Sequence, residues 1–131
     1  MILAIDQSTS GTKMLLFGPD GELTRRRDLP HRQRIDENGW VEHDPTEIYQ
    51  NVLKLARGMA EEGGFSPLAL GISNQRETVV AWDRRTGKPL YNAVVWQCPR
   101  GAAICAELEG RGVAPRIKEI TGLPLSPYFS A

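Results

Sequence analysis

Two short apolar runs, Met1 to Ile5 and Met14 to Phe17, flank the polar stretch Asp6-Gln7-Ser8-Thr9-Ser10-Gly11-Thr12-Lys13, and this pairing constrains the chain more than any other feature. Runs of that length, split by small and hydroxyl-bearing residues, make a strand, a turn and a strand. Gly18-Pro19-Asp20-Gly21 then supplies turn chemistry, with glycines for unusual backbone angles and a proline to fix one, before Glu22 to Leu29 resumes as a third strand. Short connections of this kind join antiparallel neighbours, so the three strands form a meander.

The next signal is Asp44-Pro45-Thr46-Glu47, which places a capping aspartate, a first-turn proline and an acid three positions after the cap. The helix begins at Pro45. Ile48, Val52, Leu55 and Met59 recur every three or four residues as one buried stripe that faces a sheet, and Gly63-Gly64 gives the stop. Leu68 to Ser73 and Thr78 to Trp82 read as further strands, the second closed by turn residues 84–88 and followed by the apolar stretch Ala93 to Trp96; helical patterns return over 99–109 and 115–121. No repeat or linker divides the chain, so 1–131 reads as one domain. A β-β-β-α-β order is not the strict alternation of a Rossmann sheet. By fold-level analogy it suggests an α/β, ribonuclease H-like half of the kind shared by actin, hexokinase and Hsp70-type ATPases, a mixed sheet with helices packed on its faces.

A length of 131 residues allows one core, and 40% apolar with 24% charged residues is the composition of a globular chain. Sixteen basic residues balance sixteen acidic ones, which argues against a nucleic-acid partner. Arg25, Arg26, Arg27, Arg32 and Arg34 make a local basic stretch that reads as a charged, solvated edge strand. Cys98 and Cys105 lack metal-ligand spacing and read as ordinary buried thiols of a reducing, cytoplasmic protein. His43 has no partner close in sequence, His31 being distant, and reads as a structural residue ahead of the helix. The opening residues lack the pattern of a signal peptide, and no apolar run approaches the roughly 20 residues that span a bilayer, so no membrane partner is expected.

The first turn carries the clearest chemistry. A tight turn aims backbone N–H groups at phosphoryl oxygens, hydroxyls add donors, a lysine balances anionic charge, and an acid at a strand end holds a hydrated magnesium ion. Taken alone the segment reads as an ordinary hairpin turn, and it lacks Walker spacing.

Four further segments change that reading: Asn38-Gly39-Trp40-Val41-Glu42-His43-Asp44-Pro45, Asn74-Gln75-Arg76-Glu77-Thr78, Asn92-Ala93-Val94-Val95-Trp96-Gln97 and Pro127-Tyr128-Phe129-Ser130. Together with the turn, in this order from Ala4 to Ala131, they resemble the glycerol kinase branch of the FGGY carbohydrate kinases. The resemblance implies transfer of a phosphoryl group from ATP, with Mg2+, to a terminal hydroxyl of glycerol in a cleft between two ribonuclease H-like domains. It implies that Asp6 is the metal-associated aspartate and that Thr9, Ser10, Gly11 and Lys13 approach the nucleotide phosphates. Arg76, Glu77, Trp96 and Tyr128 are implied to surround the polyol. Without the resemblance, Arg76 and Glu77 read as a surface ion pair and Trp96 and Tyr128 as core aromatics.

Ser8 stands where the family has glycine, and Pro99 where a second basic residue often follows the cysteine. The general base and the adenosine-binding domain of the family lie beyond anything resembling Ala131, so the expectation is an amino-terminal piece that works with a carboxy-terminal kinase domain. Two other readings stay open: a non-catalytic binding or interaction module on the same fold, and a kinase for another polyol or sugar. A homo-oligomer is compatible with the sequence and not required by it.

Overall fold

The computed structural model describes residues 1–129; Ser130, the end of the Pro127 to Ser130 segment, and Ala131 lie outside the described residues. Strands β1 (Ile2–Gln7), β2 (Gly11–Phe17) and β3 (Leu23–Pro30) form the antiparallel meander, with Ile5 opposite Met14 and Asp6 opposite Lys13. After α1 (Pro45–Glu61) the chain returns as β6 (Ala69–Asn74), which pairs with β1 in parallel, giving the order β3-β2-β1-β6. Between β3 and α1 lie two short strands, β4 (Gln33–Ile35) and β5 (Val41–His43), and these join β7 (Ala93–Val94) in a second antiparallel sheet. A 3-10 turn at Pro99–Gly101 leads into α2 (Ala102–Gly110), and α3 (Ala114–Thr121) follows.

The main core follows from strand alternation meeting helical periodicity. Leu3 and Ile5 of β1 and Met14 and Leu16 of β2 face one side of the sheet, where Leu55 and Met59 of α1 cover them. Of the expected stripe, Leu55 and Met59 are buried, while Val52 packs against the core from a half-buried position. Asp44 caps the helix by accepting from the Thr46 and Glu47 N–H groups. Glu47 does not complete a capping box, because its carboxylate accepts instead from the Arg32 backbone N–H and so ties the helix start to the strand connection. At the far end, the Arg25 guanidinium donates to the carbonyls of Met59 and Gly63, satisfying acceptors that a helix terminus leaves over. Arg25 and Arg27 both pair with Glu62. Part of the basic stretch is therefore a clamp on α1, not a solvated edge.

Two other expectations are corrected. Residues 78–82 form no strand but touch their neighbours through isolated bridges, Val79 with Val94 and Trp82 with Pro89. The sequence between β3 and α1 hid two strands of only three residues, too short for period-two alternation to register.

Helix α1 lies over β2 and β3, so Leu70 and Ile72 of β6, in register with Leu3 and Ile5, share the helix face yet remain exposed. This gives a contrast measurable by urea unfolding. Met59→Ala should cost about 2–5 kcal/mol through the cavity it leaves, whereas Ile72→Thr should change stability by no more than about 0.5 kcal/mol.

Candidate functional site

Parallel pairing puts the carboxyl ends of β1 and β6 side by side, with Asp6 opposite Ser73 and Gln7 opposite Asn74. Both chains leave the sheet at this edge, where open α/β sheets place their ligand crevices. A cleft of about 260 Å³ lies there, lined by Asp6, Ser8 and Thr9 from the first turn, by the 73–76 segment, and by Trp96 and Tyr128.

The turn is held by its own polar groups. The Ser8 N–H and hydroxyl both donate to the Gly11 carbonyl, at 3.0 and 2.9 Å. Glu77 is the one described non-glycine residue at positive φ, so Ser8 occupies its position without left-handed strain. Gly11 has a packing reason to be glycine: a Cβ there would stand 2.6 Å from the Leu29 carbonyl oxygen of β3. Lys13 donates to Asp6 at 2.8 Å across the β1–β2 pair, so the expected phosphate cation and the expected metal carboxylate are partners of one another. Both stay partly exposed, at 35% and 40%.

Trp96 reaches the turn directly, its indole N–H donating to the Thr9 hydroxyl at 2.9 Å. Its ring packs on Tyr128 at 5.3 Å and 60°, and Tyr128 in turn meets Phe129. Trp96 is therefore wedged between the turn and the end of the described chain. Arg76 lines this cleft, whereas Glu77 lines a neighbouring one of about 250 Å³ beside Val79, Cys98 and Phe129; Trp96 borders both. Glu77 sits at φ 62, a conformation that costs a side-chain-bearing residue of order 1–3 kcal/mol and persists only where the surroundings enforce it. Ser10 and Gly11 belong to the turn but do not line the cleft with Asp6; Ser10 opens onto a shallow hollow shared with His31, Gln33 and Gln97.

The loop that carries Trp96 is fixed by an ionic knot. Glu42 of β5 accepts from Arg100 through one oxygen and from Asn92 at 2.7 Å through the other. The Arg100 and Asn92 hydrogen bonds hold the Glu42 carboxyl below the usual range despite its burial. Arg100 also stacks over Trp40, 4.5 Å from the ring centroid, and donates to Cys98. Burial pushes the Cys98 thiol up, but the backbone N–H groups of Arg100 and Val41 and the Arg100 guanidinium outweigh it, so the thiol lies below its ordinary value. Pro99, at the first position of the 3-10 turn, needs no N–H partner there.

Sequence reasoning missed two features. Ser73, Asn74 and Gln75 contribute to the cleft, and the polar run closing β6 was the available signal. His31 and His43, far apart in sequence, meet edge to face at 4.9 Å, a contact that only the second sheet creates.

Hydroxyls of a turn at the carboxyl edge of a mixed β-β-β-α-β sheet, facing an arginine and two aromatics, make a polar cleft on an actin-like ATPase fold. The model of the FGGY family of carbohydrate kinases, N-terminal domain, matches residues 1–131, and the chain belongs to that family. It is similar to glycerol kinase 1 of Thermotoga maritima, 53% identical over 133 residues that cover 99% of this chain and 27% of the relative. The glycerol kinase of Symbiobacterium thermophilum is 48% identical, over 98% of this chain and 26% of its own length. Among solved structures, Plasmodium falciparum glycerol kinase with ADP superposes with a TM-score of 0.93 at 39% identity, covering 99% of this chain and 27% of that one. A Lactobacillus acidophilus xylulose kinase shares the fold at a TM-score of 0.89 and 22% identity. The chain thus spans 27% of the length of the first of these relatives.

Burial, reinforced by His31, lowers the His43 pKa to about 4, although Glu47 pulls the other way. A folded value below the unfolded 6.5 means the unfolded chain binds more protons between pH 6.5 and 4, so stability is full above 6.5 and falls as pH drops through that window. The loss should amount to on the order of 3 kcal/mol. Urea unfolding at pH 7.5 and 4.5 measures it, and His43→Asn should flatten the slope.

Proposed function

We propose that this chain forms the amino-terminal part of a glycerol kinase-type enzyme, which moves the γ-phosphoryl group of MgATP to a terminal hydroxyl of glycerol. The observation that carries this reading is the shared cleft, in which the turn after β1 meets Arg76, Trp96 and Tyr128. The names of the similar proteins support it, since relatives called glycerol kinase match nearly the whole chain and the Plasmodium falciparum structure holds ADP.

The donor set fits the expected groups. Ser8, Thr9 and Ser10 offer hydroxyls and Lys13 an ammonium group, which suit phosphoryl oxygens. Asp6 offers a single carboxylate, and among the described residues no cluster of three or more His, Cys, Asp or Glu could hold a metal. That suits a magnesium ion which keeps much of its water and binds phosphate oxygens, not one caged by side chains. When bound, MgATP supplies the electrophilic phosphorus.

The chain's own residues position and discriminate. Lys13 would hold the phosphate charge through its ammonium group, and Asp6, its partner in the hydrogen-bonded pair, would hold the hydrated ion through its carboxylate. Arg76 lines the cleft and donates to the polyol hydroxyls, while Glu77 lines the neighbouring cleft and would accept from them only where the polyol reaches past Trp96. Trp96 and Tyr128 wall the carbon side and exclude water. The general base and the adenosine pocket come from the carboxy-terminal domain of the longer kinase, in a reducing, cytoplasmic setting, and transfer needs all of these groups held together.

In the full-length kinase, Arg76→Ala should lower kcat/KM for glycerol by about 2–4 kcal/mol, roughly 30- to 1,000-fold, with the KM for ATP little changed. Lys13→Ala should show its larger effect on the nucleotide side. Steady-state kinetics with glycerol and with xylulose as acceptors test both; unchanged glycerol kinetics in Arg76→Ala, or a preference for the ketose, would overturn the assignment.

A further inference from the structure

Thr9 and Gln75 both line the cleft, and each is hydrogen-bonded to one ring of the His31–His43 contact. The His31 Nε2 lies 3.0 Å from the Thr9 carbonyl oxygen, so it carries the proton and donates. The His43 Nδ1 lies 3.3 Å from the Gln75 amide nitrogen. The Thr78 hydroxyl donates to Gln75 Oε1 at 3.1 Å, which orients that amide with its NH2 toward His43. His43 therefore accepts through Nδ1 and carries its own proton on Nε2. The nitrogens left over, His31 Nδ1 and His43 Nε2, are buried without a partner among the described residues.

Thr9 is the residue whose hydroxyl receives the Trp96 indole, and Gln75 immediately precedes Arg76. A continuous string of contacts thus runs from Thr78 through Gln75, His43 and His31 to Thr9 and on to Trp96. His43 is fully buried and His31 nearly so, at 0% and 8% exposure, so neither ring can swing away into water. A pair of imidazoles is an expensive way to fill such space, since two buried ring nitrogens go without hydrogen bonds where phenyl rings would leave none.

We propose that His31 and His43 are positioning residues: as one edge-to-face pair they tie the Thr9 wall of the cleft to the Gln75 wall and hold the two at a set separation. The first wall carries the turn that faces phosphate, and the second carries the loop that leads into Arg76. The consequence for phosphoryl transfer rests on the kinase reading above; the coupling between the walls does not, and it can be tested on this chain without any ligand.

The test is cross-perturbation by 1H–15N NMR at neutral pH, following the Trp96 indole N–H and the Gln75 side-chain amide. The Trp96 indole is hydrogen-bonded to Thr9 on the His31 side and the Gln75 amide to His43, so each signal reports on one wall and is linked to the other ring only through the pair. The expected result is that His43→Leu shifts the Trp96 indole signal and His31→Leu shifts the Gln75 amide signal, each by more than a line width. His43→Asn keeps an acceptor near the Nδ1 position and His31→Gln keeps a donor near Nε2, so both retain the hydrogen bond to the near wall while losing the ring contact, and each should still shift the remote signal. If each leucine substitution disturbs only its own hydrogen-bond partner, the coupling is absent and the proposal fails. Should the leucine variants not fold, His43→Asn and His31→Gln decide: a shifted remote signal in a folded variant upholds the proposal, and remote signals at wild-type positions overturn it. Because no ligand is present, failure here leaves the kinase reading intact, and failure of glycerol phosphorylation leaves the coupling intact.

Discussion

Every functional feature of this chain depends on β1 and β6 running parallel and in register. Antiparallel neighbours would send the turn after Asp6 and the loop after Asn74 to opposite ends of the sheet. The parallel pair instead delivers both to one edge, with Asp6 opposite Ser73. Parallel neighbours cannot be joined by a tight turn, so a long crossover is obligatory. Here α1 is the crossover, and its Leu55 and Met59 are buried on the same sheet that the crossover spans. The hydrophobic contact that stabilises the fold is thus also the one that sets the direction of β6, and with it the place of the cleft.

Charge does a second part of the positioning, and it does so from partly or fully sheltered places. Arg25 seals the end of α1, while Glu42, Arg100 and Asn92 pin the loop that bears Trp96. Exposed ion pairs stabilise little, whereas breaking a sheltered, hydrogen-bonded one leaves a desolvated charge behind. These knots therefore serve to fix where side chains stand more than to raise overall stability. The Asp6–Lys13 pair differs: it borders the cleft and both side chains stay partly exposed, which leaves its partners able to exchange for others.

The sequence was read best where a local rule suffices. The meander followed from short connections, and the start of α1 followed from Asp44 and Pro45, because capping involves groups only two or three residues apart. The parallel return through β6 was anticipated as a further strand. Residues 78–82 misled because an apolar, β-branched run satisfies the strand rule whether or not a partner lies alongside, and here only single bridges form. The strands β4 and β5 were missed for the opposite reason, three residues being too few to show alternation. The β5–β7 pairing joins residues some fifty positions apart, and Val79 meets that sheet only through its bridge to Val94.

Local chemistry along the chain therefore determined the strand–turn–strand unit, the helix start and the polar turn, and the ordered segments carried the family resemblance. It could do so because capping, turn formation and alternation act over a few residues, and because the five segments keep their order. Only the folded structure decided which polar groups meet: that Lys13 rests on Asp6, that Trp96 donates to Thr9, that Arg76 and Glu77 border different sides of Trp96, and that His31 touches His43. The reason is physical. Such contacts depend on the packing of elements distant in sequence, and the free energy of that packing is a property of the whole core, which no window of neighbouring residues contains.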